Sequence, residues 1–308
     1  MKKAAVINDL SGFGKCSLTA AIPVLSALGV QCCPLATAVL TGQTGYPYFR
    51  CTDLTEMMPQ YTDAWMQNQV HFDAIYSGYM TGRRQIEHLL DLIAHFRYDD
   101  TLLLVDPVMG DDGRVYGIYS EDLLAGMKEL SRKADVITPN LTEACLLSDT
   151  DIAKATDYTD ADSFLHFASD TAAKLRDMAD GPQDVVITGV KCQKEETPFI
   201  YNIAVTERGV HTSRSHLFNR SFSGTGDLFA SVLCGCRVNG MTTEAAVDLA
   251  GQFLYHSIAD TMNDNVSPND GINFEKYLID LINATALQKR RPETKNTEKE
   301  QKGVVNHE

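Results

Sequence analysis

Ser223-Gly224-Thr225-Gly226-Asp227 is the stretch of this sequence best suited to handle an anion. Two glycines stand just before Leu228-Phe229-Ala230-Ser231, whose apolar and small residues read as a helix. Glycines there let backbone N–H groups converge, and a helix N-terminus adds positive potential. Asp227 has two readings at this stage. Asp is a favoured residue at helix starts and would cap this one. An acid beside an anion hole also repels phosphate, a cost that a cap has no reason to accept and that a general base for phosphoryl transfer does. The loop alone leaves both open.

A second Gly-rich stretch, Ser11-Gly12-Phe13-Gly14-Lys15-Cys16-Ser17, invites comparison with a P-loop and fails it. That motif needs G-x-x-x-x-G-K-[ST]. Here Cys16 follows Gly14-Lys15, and no glycine holds the first required place. A substrate-side loop between strand and helix fits better.

These loops need a scaffold, and the hydrophobic pattern supplies one. Short apolar runs at Ala4–Ile7, Val30–Leu40, Ala74–Ser77, Leu102–Val105, Val136–Ile137 and Val185–Ile187 read as strands. Helical periodicity lies between them at Ser17–Leu28, Arg84–Phe96, Glu121–Leu130 and Phe164–Met178. Pro198–Val205 and Val210–Ser213 flank Glu207-Arg208-Gly209 as a hairpin. From Asp227 onward the pattern is mostly helical. Alternation of this kind predicts an α/β fold, with a mostly parallel sheet covered on both faces. In such sheets ligands bind beyond the carboxyl ends of the strands. Each apolar run ends in polar or turn-forming residues: Asn8, Asp9 and Ser11; Thr41, Gln43 and Thr44; Ser77, Gly78 and Tyr79; Asp106, Pro107 and Gly110-Asp111-Asp112-Gly113; Thr138, Pro139 and Asn140; Thr188 and Gly189. A parallel sheet would bring all six groups to one rim.

Composition narrows the partners. The chain has 308 residues, 44% of them hydrophobic, and a net charge of -14. Such an acidic chain repels nucleic acid and anionic membranes, and no apolar run approaches the roughly 18 residues that span a bilayer. A cytoplasmic protein with neither partner is expected. The eight cysteines show no zinc spacing and sit mostly in apolar runs, as reduced structural thiols would. The eight histidines show no metal spacing either. Residues 1–286 read as one domain. Residues 287–308 are charged, with too few apolar groups to order themselves, and read as a disordered tail.

With SGTGD at 223–227, DPVMGDDG at 106–113 and TPNLTEA at 138–144, the sequence resembles the ribokinase-like kinases of vitamins. TGQTGY at 41–46 and SGY at 77–79 bring it nearest to the pyridoxal kinases among them, over Ala5 to about Ala284. The resemblance implies a three-layer sandwich, ATP with Mg²⁺ and possibly K⁺, and a homodimer. It implies transfer of phosphate to the 5′-hydroxymethyl of a small-molecule vitamer, with Asp227 as base and Gly224, Thr225 and Gly226 as the anion hole. It places Asn140, Glu143, Thr188 and Phe222 at ATP, with Asp106, Asp111 and Glu143 near the metal. Tyr79 and Thr44 would meet the vitamer, together with Asp9, Ser11 and Gln43. The match departs from the family at two of these. Many pyridoxal kinases carry Ser at the position of Asp9 and His at that of Gln43, and the loop from Asn8 to Gly14 is closer to hydroxymethylpyrimidine kinases. Those commonly have Cys after GTG, whereas this chain has Asp227. Hydroxymethylpyrimidine kinase is therefore the second reading, and sugar kinase the third. An inactive ligand-binding relative is the non-enzyme reading, and it would be free to lose the GTG and Asp227 that this sequence keeps.

Overall fold

The computed structural model describes residues 1–153, 160–192 and 197–289, with side chains to 286. Nine strands form one sheet: β1 (Lys3–Ser11), β2 (Gln31–Leu40), β3 (Cys51–Asp53), β4 (Ala74–Ser77), β5 (Leu102–Val105), then β8 (Val136–Ile137), β9 (Asp184–Cys192), β10 (Phe199–Thr206) and β11 (Gly209–His216). Their order is β11-β10-β9-β8-β5-β4-β1-β2-β3. The six strands from β9 to β2 pair in parallel, and β3, β10 and β11 add antiparallel edges. The parallel runs are mostly apolar because both faces are covered. A two-stranded hairpin, β6 (Gly110–Asp111) and β7 (Arg114–Val115), stands outside the sheet.

Helices cover the two faces. Against one lie α2 (Met58–Gln67), α3 (Arg83–Phe96), α4 (Glu121–Lys133), α5 (Leu141–Leu147) and α6 (Ala161–Asp177). Against the other lie α1 (Ser17–Ala27), α7 (Thr225–Val238), α8 (Thr243–Thr261) and α9 (Leu278–Lys289). Each face has its own apolar core, with side chains of one strand alternating between them, such as Ala5 and Ile7 to one and Ala4 and Val6 to the other. Trp65 packs edge-on against Tyr61, Phe72 and Phe96, as a core role predicts. The eight cysteines form no disulfide. The last helix runs to Lys289, so its end overlaps the first three residues of the expected tail; residues 290–308 lie outside the described residues.

The topology dictates where a site can form. From β1 the chain moves one way to β2, then returns past β1 to β4 and on through β5, β8 and β9. The direction reverses between β1 and β4, and the carboxyl ends flanking a reversal are where such sheets open a crevice. Asn8 and Asp9 lie near the end of β1, and Ser77-Gly78-Tyr79 at the end of β4.

Candidate active site

The N-terminus of α7, like those of α1, α2 and α3, has no side-chain cap, and it alone of these four starts from a glycine in the left-handed region. Ser120, Asn140, Asp160 and Thr242 cap α4, α5, α6 and α8 with side-chain oxygens. Helix α7 starts from Gly224 at φ +81°, with no side-chain cap. Its first amides are thus left for an anion, in a helix of 14 residues whose dipole favours one. Gly224 also packs where nothing larger fits: a Cβ there would lie 1.9 Å from the Lys15 carbonyl oxygen. The Gly-rich loop 12–16 therefore forms one wall of the anion loop.

Asp227 is the third residue of α7, and its carboxylate does not cap its own helix. The Asn8 amide donates to its Oδ1 at 3.2 Å, across 219 residues of sequence. Burial pushes the carboxyl up to about 6; the Ser17 amide and Asn8 pull it back, while Asp9 adds to the rise. Asn8 carries no distinguishing signal in the sequence beyond its place at a strand end. It is fully buried, and its Oδ1 accepts the amides of Tyr79 at 2.9 Å and Asp9 at 3.0 Å. One side chain thus fixes the acid against both strands of the reversal. Ser17, whose amide faces the same acid, is a non-glycine residue at φ +50°.

The DPVMGDDG and TPNLTEA motifs act as one unit. Glu143 Oε1 accepts the amides of Met109 and Gly110, and its Oε2 accepts that of Asn140. Asn140 caps α5 through its Oδ1 and donates Nδ2 to the Gly110 carbonyl at 2.7 Å. Thr142 accepts the Gly113 amide. Asn140 and Glu143, expected at the nucleotide, therefore spend their polar atoms holding the β6–β7 hairpin over the end of β8. Thr188 stands beside Asn140 on the same rim, its amide bonded to the Pro139 carbonyl.

Carboxylates line the crevice. Asp106 is buried, with the Thr138 hydroxyl on its Oδ1 at 3.2 Å. Burial and the nearby Asp227 push it up to about 8. Burial and Asp106 hold Glu143 well above the usual range. Asp111 is exposed on the hairpin and bonds the Asp112 amide. Among the described residues no three His, Cys, Asp or Glu converge to hold a metal by themselves. The donor set does suit Mg²⁺, which takes one or two carboxylates plus substrate phosphates in place of a protein cage. Tyr116, which no sequence signal marks, is half-exposed beside these acids; burial and the charges of Asp111, Glu143, Asp106 and Asp227 raise its hydroxyl.

Acids raised by folding carry a stability consequence. A group whose pKa rises on folding holds its proton more tightly in the native state, so stability is lost as pH climbs through the folded value. The ligand-free protein is expected to lose a few °C of Tm between about pH 5 and 8, and Asp106→Asn to flatten that slope; thermal melts across pH check both.

The residues expected at the vitamer are Asp9, Ser11, Tyr79, Gln43 and Thr44. Asp9 and Ser11 are buried, with the Ser11 hydroxyl donating to Asp9 Oδ2 at 2.9 Å. Tyr79 is half-buried, its hydroxyl pushed up to about 12 by burial and by Cys51, Asp9 and Asp53. Thr44 is exposed. Gln43 is buried and committed: its Oε1 accepts the Gly45 amide, and its Nε2 donates to the Asn269 carbonyl. It shapes the 41–46 loop and has little left for a ligand. Phe222 likewise lies in the α7–α8 core, with the Arg220 guanidinium 5.1 Å over its ring, so it offers little face to an adenine. Lys15 donates to the Ile272 carbonyl and pairs with Glu275 at 2.8 Å. Lys191 pairs with Asp112 at 2.7 Å.

The family model described as phosphomethylpyrimidine kinase matches residues 14–272. The pyridoxine/pyridoxal/pyridoxamine kinase of Bordetella avium is 30% identical over 195 residues, 61% of this chain and 60% of that protein. The pyridoxal kinase of Dictyostelium discoideum is 24% identical over 85% of this chain and 87% of that one. A Bacteroides thetaiotaomicron protein assigned as a phosphomethylpyrimidine kinase, crystallised with pyridoxal, superposes with a TM-score of 0.82 at 38% identity, over 91% of this chain and 95% of that one. The pyridoxal kinase of Lactobacillus plantarum gives 0.80 at 27% identity, over 94% and 98%.

Proposed function

The chain belongs to the phosphomethylpyrimidine kinase family and has the ribokinase-like fold, and on that premise we propose that it is an ATP-dependent kinase of the 5′-hydroxymethyl group of pyridoxal, pyridoxamine or pyridoxine. The observation that carries the reading is the pairing at α7: an uncapped helix N-terminus with a carboxylate held beside it by Asn8. Asp227 takes the proton from the vitamer hydroxyl as its oxygen attacks the γ-phosphorus and ADP departs. The amides of Gly224, Thr225 and Gly226 receive charge on the transferring oxygens, where such a loose transition state needs it. Mg²⁺ bound with the nucleotide would neutralise phosphate charge, with Asp106 as the residue to hold it. Asn140 and Thr188 keep the rim on which the phosphates lie. Pyridoxal in the Bacteroides relative favours the pyridine vitamers over hydroxymethylpyrimidine. Homodimer formation, K⁺ dependence and a cytoplasmic location, implied by the resemblance, belong to the same proposal; among the described residues no helix is long and apolar enough to cross a membrane.

The test is ATP-dependent phosphorylation of the three pyridine vitamers and hydroxymethylpyrimidine in parallel, with Mg²⁺ and K⁺ present. Turnover of the pyridine vitamers is expected. Turnover of the pyrimidine alone would move the assignment to the second reading, and no turnover of any would remove both.

A further inference from the structure

We propose that Asp9 selects the substrate by charge, pairing with a protonated nitrogen of the vitamer; the inference rests on the vitamer-kinase reading above. Asp9 is 5% exposed, and its carboxylate is held by the hydroxyls of Ser11, at 2.9 Å, and Ser17 and by its own backbone amide. Among the described residues it forms no ion pair. Lys15, on the loop that follows β1, is committed to Ile272, Asn273 and Glu275. A buried carboxylate without a cation is costly, and a ligand that brings the missing charge recovers that cost.

The position of Asp9 decides which ligand can do so. Asn8 ties Asp9, Tyr79 and Asp227 to one point: its Nδ2 donates to Asp227 Oδ1 at 3.2 Å, and its Oδ1 accepts the amides of Asp9 at 3.0 Å and Tyr79 at 2.9 Å. A ring seated on Tyr79 with its hydroxymethyl at Asp227 therefore lies against the Asp9 carboxylate. Every pyridine vitamer has a basic ring nitrogen, and pyridoxamine adds an exocyclic ammonium. The two sources share one chemistry, a positively charged N–H donor to a carboxylate.

Asp9→Asn keeps the shape and the Ser11 hydrogen bond and removes the charge. Its kcat/KM on pyridoxamine, pyridoxal and pyridoxine is compared with that of the unaltered protein. Binding of the vitamers, and of a carbocyclic analogue of pyridoxine lacking the ring nitrogen, is measured by calorimetry without ATP. A loss of about tenfold or more is expected for the charged partner, with binding of the analogue unchanged. A loss confined to pyridoxamine assigns the ammonium; an equal loss on all three vitamers assigns the pyridinium. Vitamer constants within about twofold of the original, or an equal loss for the carbocyclic analogue, overturn the proposal. If Asp9→Asn does not fold, Asp9→Ser is read in the same way. An unaltered protein that turns over no vitamer refutes the kinase reading instead, while the binding comparison still tests Asp9.

Discussion

Asp227→Asn is expected to lower kcat by roughly 10²–10⁴-fold while leaving nucleotide affinity nearly unchanged. The amide fills the space of the carboxylate, so the anion loop and α7 stay in place. What is lost is the acceptor for the hydroxyl proton. Two checks separate this from damage to the fold. ADP binding by calorimetry should match that of the unaltered protein. The acid limb of kcat/KM should also change. A base must be unprotonated to act, and burial sets Asp227 to about 6, so activity should fall as pH drops through that value. The residual activity of the variant should lack that limb. A variant that keeps more than about a tenth of the original kcat would leave Asp227 as a structural acid only.

Gly224→Ala is expected to do comparable damage by a different route. The position has φ +81°, which costs a side-chain-bearing residue about 1 kcal/mol, and the added methyl would meet the Lys15 carbonyl at 1.9 Å. Backbone cannot yield as a flexible side chain can, so the anion loop must move away from the 12–16 loop. A displacement near about 1 Å is worth about 10² in rate. Both kcat and nucleotide affinity should fall, with a lower Tm, whereas Asp227→Asn affects kcat alone. Steady-state kinetics on ATP and a thermal melt distinguish the two patterns. An Ala variant with unchanged kinetics would show that the loop does not hold the transferring phosphoryl.

Much of the scaffold was legible in the sequence because its cause is local. Leu102–Val105 and the hairpin of β10 and β11 fall where the apolar runs and the Glu207-Arg208-Gly209 turn put them. Helix α6 starts three residues before its apolar pattern, because Asp160 caps it and the cap precedes the periodicity. The short elements β3, β6 and β7 carry no signal, since none of them holds an apolar run such as marks the equally short β8. For the site, the kinds of residue at the strand ends were legible and their duties were not. Asn140 and Glu143 read as ligand groups, yet their hydrogen bonds run to a hairpin about 30 residues earlier. Asn8 reads as one polar residue among several, because its partner lies 219 positions away. Gln43 and Lys15 are spent on the 267–275 segment for the same reason. Spacing in sequence cannot report a contact made only after the sheet has closed.

That late segment has a consequence for how the protein is born. The Asp270 carbonyl takes the Lys15 amide, the Pro268 carbonyl takes the Ser223 amide, Tyr46 bonds the Asp270 side chain, and Asn269 bonds the Gly45 carbonyl. Both loops that frame the crevice are therefore tied by residues synthesised after nearly everything else. A nascent chain emerging from the ribosome can lay down the parallel core strand by strand, yet it has no finished crevice until Glu275 is free of the exit tunnel. A chain that stops upstream of this segment lacks the ties that hold both loops in place.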